Sequence, residues 1–488
     1  MIDVPNPSSS PLFNFTAGKV YAACFWLRSA TPVPKGGVSL AVNLIEAQVY
    51  SWLAGGSTAV STRWSRAYFA NFKPSRNATA YVTLDVGSYS GTFLVDDFRL
   101  TSTPSRAEEY AAYVNSTNVA ARIEAHRKGN FQLRFLNAAG VALAGARLAS
   151  LRLRLVRHDF PFGTAMNAAV VPAGRLSWYQ SVVKKHYNAL VPEVSFKWPS
   201  YEPVQGQYLA SYNLIINNLI KFATDNDFSG CANYREYLKT RITRDVGLFK
   251  GKFQSFDVFN EILHELQFVE GCAGMWPGIL YDGFRWAAAA DPTAQLCLND
   301  YGLITGDDWQ AMVTLVKAML AAKVPINCIG VQPRFDALAA LNLTLLVTEF
   351  NFYTYWGSEG PVWEGSGEEH AALYDEYIRY WFSLPYIKGM LMWGFWDSLN
   401  WIKNGGVYYA NGTAKASATK LSSLWGSVWN TTLAASNVGL SDTGVYGPYR
   451  GFYGKYEYEI KHGSKQYTGY AEFPAKSGAA QTVTVTLR

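Results

Sequence analysis

The feature that most constrains the fold is a series of short apolar runs that alternate with amphipathic stretches from about residue 160 onward. Stretches such as DDWQAMVTLVKAML and EEHAALYDEYIRYWF, which lie between runs, carry apolar residues at helical spacing. Apolar strands that alternate with helices predict a parallel sheet covered on both faces. Over about 250 residues this pattern predicts an α/β fold, the closed (β/α)8 barrel. The runs are FPFGTAM (160–166), ALVPEVSFKW (189–198), QSFDVFNE (254–261), QLCLND (295–300), INCIGVQ (326–332), TLLVTEF (344–350) and GMLMWGF (389–395).

The residues on either side of this region follow a different pattern. The first hundred residues alternate apolar and polar residues between Gly, Pro and Ser turns, which predicts a β-sandwich. A helical stretch and two strands come next, and strand-like alternation returns near the C-terminus. The predicted organisation is a sandwich (1–104), a helical and strand segment leading into the barrel (105–158), the barrel (159–435) and a small β appendage (436–488).

The composition narrows the class of protein. Apolar residues make up 49% and charged residues 16% of the 488, as is typical of a globular chain. The net charge is +6, but Lys and Arg are scattered, so no nucleic-acid partner is predicted. No apolar stretch approaches the roughly 18 residues of a membrane span. The 16 Trp and 31 Tyr residues fit either core packing or surfaces that stack on sugar rings.

The five cysteines predict neither a metal site nor a disulfide scaffold, because they show no CxxC and no zinc spacing. One bridge between Cys231 and Cys272 stays open, and Cys297 and Cys328 are expected to be buried thiols. The start, MIDVPNPSSS, has no signal-peptide core, which we read as a processed or incomplete chain. Glycosylation sequons, which lean weakly toward a secreted glycoprotein, occur at Asn14, Asn77, Asn115, Asn342, Asn411 and Asn430.

Acidic and amide side chains gather where the predicted strands end. An unpaired buried carboxylate is costly, so Asn260 and Glu261, which follow the apolar run SFDVF, should face a cavity, a partner or a substrate. In a (β/α)8 barrel the carboxyl ends of the strands form the active face. Two glutamates at the ends of different strands can cleave a glycosidic bond, one as an acid and the other as nucleophile or base. The candidate strand-end residues are Glu193, Asn260, Glu261, Asn299, Asp300, Gln332, Glu349 and Trp393.

The same motifs, in this order, resemble glycoside hydrolase family 10, the retaining endo-β-1,4-xylanases. FDVFNE, LCLNDYG, IGVQ, LLVTEF and MWGFWDSLNW resemble its successive strand motifs, and FKWPSYEPVQGQY resembles its second-strand motif. RKGNFQLRF, FPFGTAM and YRGFYGKYEYEI resemble the plant and green-algal branch. The resemblance covers roughly residues 119–488. The first hundred residues, with FWLR and FLVDDFRL, are similar to the carbohydrate-binding β-sandwich that often precedes these barrels.

The resemblance implies catalytic roles for two glutamates. Glu261 matches the acid/base and Glu349 the nucleophile, and Asn260 matches the residue that holds a sugar hydroxyl at the cleavage subsite. Glu193 and Lys197 match contacts to the glycone side of the substrate. A retaining site of this kind holds its two carboxyl groups about 5–5.5 Å apart, and the acid/base has a raised pKa so that it stays protonated near neutrality.

The resemblance also implies the walls of the cleft and the substrate. Gln332 matches the residue that orients the nucleophile, and Tyr301, Trp393 and Trp401 match aromatic walls. The implied substrate is xylan or a related β-1,4-glycan of plant or algal cell walls, and no cofactor or metal is implied. The implied location is extracellular or in the cell wall.

Two segments depart from the family pattern. The family has a third strand, with a histidine and a tryptophan of the cleavage subsite, where this chain has only FSGCANY (228–234). After IGVQ the family continues with another active-site histidine, whereas Pro333 and Arg334 here lead directly into the next helix. Val194 stands where the family has a sugar-binding Asn, and Gly302 replaces the Asn after NDY. A closed barrel cannot omit a strand without exposing edges, so the third strand is makeshift, the barrel is distorted, or a segment is lacking.

Three functions therefore stay open for this sequence. The first is a retaining endo-glycosidase, the second a weakened or inactive carbohydrate-binding component of a wall or matrix, and the third a scaffold protein that no longer binds sugar. Glu261-x-x-His264 matches half of a di-iron motif, but the sequence has no second copy, so it predicts no metal site. His370, at a predicted helix start, is expected to be solvated.

Overall fold

The computed structural model divides the chain into two compact units, Met1–Asn115 and Ser116–Arg488. Each unit is built around its own sheets. The structure describes residues 12–17, 20–31, 38–46, 52–60, 65–72, 76–85, 92–103, 116–167, 170–193, 231–263, 273–300, 308–331, 338–357, 360–475 and 481–488.

The first unit contains two antiparallel sheets. One has four strands in the order β1-β6-β3-β4 and the other has three in the order β5-β2-β7. Two antiparallel sheets are the elements that a β-sandwich requires. The strands are β1 (Phe13–Phe15), β2 (Val20–Ser29), β3 (Val38–Glu46), β4 (Trp52–Val60), β5 (Ser65–Phe72), β6 (Ala78–Asp85) and β7 (Phe93–Thr103).

The second unit alternates strands and helices in its middle and has strands alone at its C-terminal end. Its strands are β8 (Lys128–Leu136), β9 (Arg147–His158), β10 (Phe162–Met166), β11 (Ala189–Pro192), β12 (Ser255–Asn260), β13 (Gln295–Asn299), β14 (Cys328–Val331), β15 (Thr344–Phe350), β16 (Tyr355–Gly357), β17 (Gly360–Val362), β18 (Ile387–Met392), β19 (Thr432–Gly439), β20 (Val445–Phe452), β21 (Gly454–His462), β22 (Lys465–Phe473) and β23 (Gln481–Thr486). Its helices are α1 (Ser116–Arg127), α2 (Leu176–His186), α3 (Cys231–Leu248), α4 (Gly278–Ala290), α5 (Asp308–Ala321), α6 (Gly367–Ser383) and α7 (Ala416–Ser423).

A seven-stranded parallel sheet forms the centre of this unit. Its order is β11-β10-β18-β15-β14-β13-β12, and every neighbouring pair is parallel. The predicted α/β class and parallel sheet are thus confirmed. Leu345 and Val347 of β15 are fully buried, as expected for strands covered on both faces.

The sheet has two edges, β11 and β12, in the part of the chain that the structure describes. These are the strands between which the third strand of a closed eight-stranded barrel would lie. The makeshift third strand at Phe228–Tyr234 is wrong for residues 231–234, because they begin α3. Residues 228–230 lie outside the described residues.

The strands before and after the parallel sheet combine in two further sheets. One has the order β19-β9-β21-β22, and the other has the order β20-β8-β23. In β9, Leu151, Leu153 and Leu155 are buried and alternate with exposed Arg152 and Arg154. Strands β8 and β9 therefore share sheets with strands of the C-terminal appendage.

Arg127, the last residue of α1, connects the segment that precedes β8 to the parallel sheet. Its guanidinium donates to the backbone oxygens of Phe382, Leu384 and Ile387, at 2.5, 2.6 and 2.8 Å. Burial lowers the pKa of Arg127 to about 10. The three carbonyls belong to the end of α6 and the start of β18, so one side chain satisfies acceptors that the helix leaves open.

Two expectations from the sequence are wrong. Cys297 and Cys328 are buried as expected, but they form a disulfide across the paired strands β13 and β14 instead of remaining thiols. Cys272, the partner left open for Cys231, lies outside the described residues. His370 is only 1% exposed, packs between Trp363 and Tyr374, and has its pKa lowered to about 4 by burial, so it is not solvated.

A cavity of about 130 Å³ lies between the two edge strands of the parallel sheet. Leu190, Phe256 and Met390 contribute apolar walls, and Asp257 contributes a carboxyl group. Burial raises the pKa of Asp257 to about 7. The reason is that leaving water penalises the charged form, and no described residue forms an ion pair with this carboxylate.

We expect Asp257 to make the protein less stable as the pH rises. The folded state holds this proton with a pKa of about 7 against an ordinary value of 3.8 for an aspartate side chain, so its stabilising contribution is complete below about pH 4 and is lost as the pH approaches 7. The loss is at most about 4 kcal/mol. Urea unfolding at pH 4.5 and pH 8 should show a smaller difference in the free energy of unfolding for Asp257→Asn than for the native chain. Equal differences in the two proteins would contradict this assignment.

Candidate active site

Asn260 and Glu261 lie where β12 ends, and the neighbouring strand fixes the backbone there. The Glu261 amide donates to the Asn299 carbonyl at 2.8 Å, and the Leu263 amide donates to the Asp300 carboxylate at 2.7 Å. Glu261 has a φ of 58°, which is unfavourable for a residue with a Cβ atom. Such a conformation persists only where the surroundings determine it, and here both flanking contacts come from the end of β13.

Asn299 connects the ends of three strands. Its side-chain amide donates to Asn260 Oδ1 at 2.5 Å and lies 3.4 Å from Glu349 Oε1. Its Oδ1 accepts a hydrogen bond from the Thr348 hydroxyl at 2.5 Å. Asn299 is 3% exposed, so it is a fixed element of the fold. One nitrogen, Asn299 Nδ2, thus contacts both Asn260, which precedes Glu261, and Glu349.

Asn260 keeps one hydrogen-bond donor available. Its Oδ1 is engaged by Asn299, whereas its Nδ2 is buried and has no hydrogen-bond partner among the described residues. A buried donor without a partner carries a penalty of about 1–3 kcal/mol. A ligand hydroxyl that accepts from Nδ2 would remove that penalty.

The strand that carries Glu349 is also bonded to the loop that follows β18. Asn351 Oδ1 accepts from the Trp393 amide at 2.9 Å, and its Nδ2 donates to the Gly394 carbonyl at 3.2 Å. The Trp393 amide is in addition 3.2 Å from the Phe350 carbonyl. These contacts fix Trp393 close to the end of β15, beside Glu349.

A buried ion pair closes the loop of residues 393–415, which we call the aromatic loop. Lys415 Nζ lies 2.8 Å from Asp397 Oδ1, and the two side chains are 6% and 9% exposed. Lys415 also donates to the Asn404 carbonyl at 2.7 Å, and Asp397 accepts from the Gly406 amide at 2.9 Å. This buried pair therefore fixes the conformation of the loop, while Trp401, which lies on the same loop, is 46% exposed.

Glu193 lies directly after β11. Its amide donates to the Met166 carbonyl at 2.9 Å, so its backbone continues the pairing of β11 with β10. Burial raises the pKa of Tyr179 to about 12, and the charge of Glu193 adds to the effect. Glu193 thus lies near the sheet end formed by β10 and β11. Three other predicted site residues, Lys197, Tyr301 and Gln332, lie outside the described residues.

The structure adds two residues that the sequence analysis did not single out. Thr348 supports Asn299, and Asn351 links β15 to the aromatic loop. Both are next to or near Glu349 in the run VTEFN. A polar residue at the end of an otherwise apolar strand is a signal that the sequence contains. The partners of such a residue depend on which strands are neighbours, which the sequence does not specify.

Residues 214–421 match the family model described as glycosyl hydrolase family 10. This part of the chain is therefore similar to that family. The matched residues include β12 to β18 and the aromatic loop. Asn260, Glu261, Asn299, Glu349 and Trp393 all lie among them.

Curated relatives extend the similarity beyond these residues. The chain is 27% identical over 398 residues to the anti-sigma-I factor RsgI6 of Acetivibrio thermocellus, covering 74% of this chain and 49% of the relative. It is 25% identical over 388 residues to endo-1,4-beta-xylanase 1 of Arabidopsis thaliana, covering 74% and 39%. A beta-1,4-xylanase of Dictyoglomus thermophilum is 27% identical over 270 residues, covering 46% and 75%. The chain thus spans half or less of the first two relatives.

Solved structures of xylanases have TM-scores below 0.5 with this chain. Native xylanase 10B of Thermotoga maritima has a TM-score of 0.45 at 21% identity, over 54% of this chain and 94% of that chain. A variant of xylanase 10C of Cellvibrio japonicus in complex with xylopentaose has a TM-score of 0.46 at 16% identity, over 84% and 90%.

No helix in the described part of the chain is long and apolar enough to cross a membrane.

If the chain is a hydrolase that uses Glu349, we expect replacement of Asn299 to weaken catalysis without unfolding the protein. Asn299→Ala removes the donor shared by Asn260 and Glu349, and losing hydrogen bonds of about 1–3 kcal/mol corresponds to a roughly 10- to 100-fold lower kcat. Thr348→Val, which removes only the hydroxyl that supports Asn299, should lower kcat less. Hydrolysis of xylo-oligosaccharides, with circular dichroism as a folding control, tests whether kcat falls more in Asn299→Ala than in Thr348→Val. A native kcat for Asn299→Ala would show that the contacts of Asn299 with Asn260 and Glu349 have no role in catalysis.

Proposed function

We propose that the protein is a retaining endo-glycoside hydrolase that cleaves β-1,4-xylan or a related cell-wall glycan. The observation that carries the proposal is the Asn299 bridge, which lies between Asn260 at the end of β12 and Glu349 at the end of β15. Its position draws the ends of the two strands that carry Glu261 and Glu349 toward one another. The match of residues 214–421 to the glycosyl hydrolase family 10 model and the similarity to xylanases support the same substrate class.

In this mechanism the two glutamates divide the reaction into two steps. Glu349 attacks the anomeric carbon and forms a glycosyl–enzyme bond, while Glu261 protonates the leaving oxygen. Glu261 then takes a proton from water, which attacks the same carbon and releases Glu349. Asn260 Nδ2 donates to a hydroxyl of the sugar at the cleavage point. Double displacement keeps the anomeric configuration.

The remaining residues bind the chain on either side of the cleavage point. Glu193 and Lys197 contact the glycone, Gln332 orients Glu349, and the rings of Tyr301, Trp393 and Trp401 form the walls. Because xylan is an extracellular polymer, we also propose that the protein acts outside the cell or in the cell wall.

The proposal is tested by the products of xylan hydrolysis. Incubation of the intact protein with soluble xylan should release reducing ends, and NMR of the first product should show the β-anomer before mutarotation. An α-anomer would contradict the retaining mechanism, and the absence of any release would contradict hydrolysis. Hydrolysis of a β-1,4-linked glucan under the same conditions tests whether the substrate is xylan or a related glycan.

A second candidate is a carbohydrate-binding protein without turnover. One observation favours it: the parallel sheet is open between β11 and β12 in the described residues. The family residues at the third strand and after Gln332 have no counterpart in the sequence. Retention on insoluble xylan, without release of reducing ends over long incubation, would favour this function over the first.

A further inference from the structure

Two aromatic rings of the aromatic loop are exposed, while most of its other large apolar side chains are buried. Trp401 is 46% exposed and Tyr409 is 48% exposed. A single exposed aromatic residue is ordinary on a protein surface, so exposure alone assigns nothing to Tyr409. The buried side chains of the loop, at most 5% exposed, are Phe395, Trp396, Ile402, Val407 and Tyr408.

A buried cation supports the ring of Tyr409 from the protein side. Lys415 Nζ lies 5.0 Å from the centroid of the ring, within the range of a cation–π contact. The ammonium group cannot move away easily, because Asp397 and the Asn404 carbonyl hold it at 2.8 and 2.7 Å. One side of the ring therefore faces a fixed internal charge, and the exposed part of the ring faces outward.

The backbone of Tyr409 is held as firmly as its ring. Its amide donates to the Thr413 carbonyl at 2.9 Å, and its carbonyl accepts from the Gly412 amide at 2.8 Å. The indole Nε1 of Trp396, a residue only 3% exposed, also donates to this carbonyl at 3.0 Å. A ring fixed in this way loses little conformational freedom when a ligand stacks on it, which favours binding.

Tyr409 lies within reach of the proposed cleavage point. Asn351, two residues after Glu349, has its Nδ2 3.4 Å from the Gly405 carbonyl. Tyr409 follows Gly405 by four residues, a span of at most about 14 Å. A glycan chain bound beside Glu349 therefore needs only a few sugar rings to reach Tyr409.

We propose that Tyr409 is an additional sugar-stacking subsite for a β-1,4-linked glycan, beyond the cleavage point. The flat, fixed ring can cover the C–H face of a pyranose, as aromatic rings at binding surfaces do. This inference rests on the proposed function, because it assigns a longer chain to the same cleft. Under this proposal, Tyr409 contributes to the binding of long glycans only.

The test compares long and short substrates in Tyr409 variants of the full chain. With xylohexaose, Tyr409→Ala should raise KM about 3- to 10-fold, the effect of losing one aromatic stacking contact. With 4-nitrophenyl xylobioside, which is too short to reach the ring, kcat and KM should stay at their native values. Tyr409→Phe keeps the ring and should restore the native KM for xylohexaose.

Tyr470 provides a matched control on another part of the fold. It is 60% exposed on β22 and also has a lysine ammonium, Lys455 Nζ, 4.4 Å from its ring centroid. Tyr470→Ala should leave both substrates unaffected. Equal losses on long and short substrates in Tyr409→Ala, or no loss on either, would overturn the subsite.

The failure of the subsite and the failure of the proposed function give different results. If the native protein hydrolyses neither substrate, the proposed hydrolase function fails, and calorimetric titration with xylohexaose then tests the subsite alone. In that titration Tyr409→Ala should bind xylohexaose about 3- to 10-fold more weakly than the native chain and than Tyr470→Ala. Equal affinities of the three proteins would overturn the subsite.

Discussion

Replacing Glu349 by Gln is expected to reduce hydrolysis of xylan by at least about 10⁴-fold. The substitution keeps the size of the side chain but removes the nucleophile, so the covalent step cannot occur with any substrate. The contact from the Asn299 amide to Oε1, at 3.4 Å in the native protein, can still form to the oxygen of Gln. We therefore expect a folded protein with native binding of xylo-oligosaccharides.

Glu261→Gln should give a different pattern, and the difference separates the two roles. Without the acid, cleavage of xylan should fall about 10²- to 10⁴-fold. An aryl xylobioside with an acidic phenol needs no proton on its leaving oxygen, so its first step should remain fast. Steady-state and burst kinetics on both substrates measure the pattern. If Glu349→Gln kept activity on the aryl substrate, or Glu261→Gln lost its first step there, the assignment of roles would be wrong.

Replacing Lys415 by Met should destabilise the protein by about 3–5 kcal/mol. The substitution leaves the Asp397 carboxylate in a buried position with only the Gly406 amide of its two described partners. Burial already raises the pKa of Asp397 in the presence of Lys415, so the variant should take up a proton at higher pH than the native protein. A raised pKa means that stability is lost as the pH rises. The deficit should thus be larger at pH 8 than at pH 5.

An exposed pair on the C-terminal sheet is the matched control for this prediction. Arg154 and Glu457 form a contact of 2.8 Å, but their side chains are 62% and 43% exposed. Arg154→Met should cost less than about 1 kcal/mol. Urea unfolding of both variants and of Asp397→Asn/Lys415→Met measures the buried pair; a loss at Lys415 no larger than that at Arg154 would contradict the role of the pair.

The sequence could predict the elements of the parallel sheet because the signal lies within each element. Apolar runs and helical periodicity depend on neighbours a few residues away, and they placed Glu261 and Glu349 at the ends of β12 and β15. The same local signal was insufficient for His370. Its position near a helix start indicated exposure, whereas packing against Trp363 and Tyr374 buries it.

Contacts between strands could not be predicted in this way. Cys297 and Cys328 are 31 residues apart and become bonded because β13 and β14 pair in one particular register. The pair of Asp397 and Lys415 likewise depends on how the aromatic loop folds back. Neither residue type nor spacing in the sequence specifies such partners.

The sequence by itself determined the kind of fold and the positions of the two glutamates, because burial of apolar runs and the ends of strands follow from local patterns. Only the tertiary structure decided that Asn299 lies between Asn260 and Glu349 and that a buried lysine supports the ring of Tyr409. The physical reason is that hydrogen bonds and ring contacts act over a few ångströms, and the lateral order of the strands decides which side chains come within that distance.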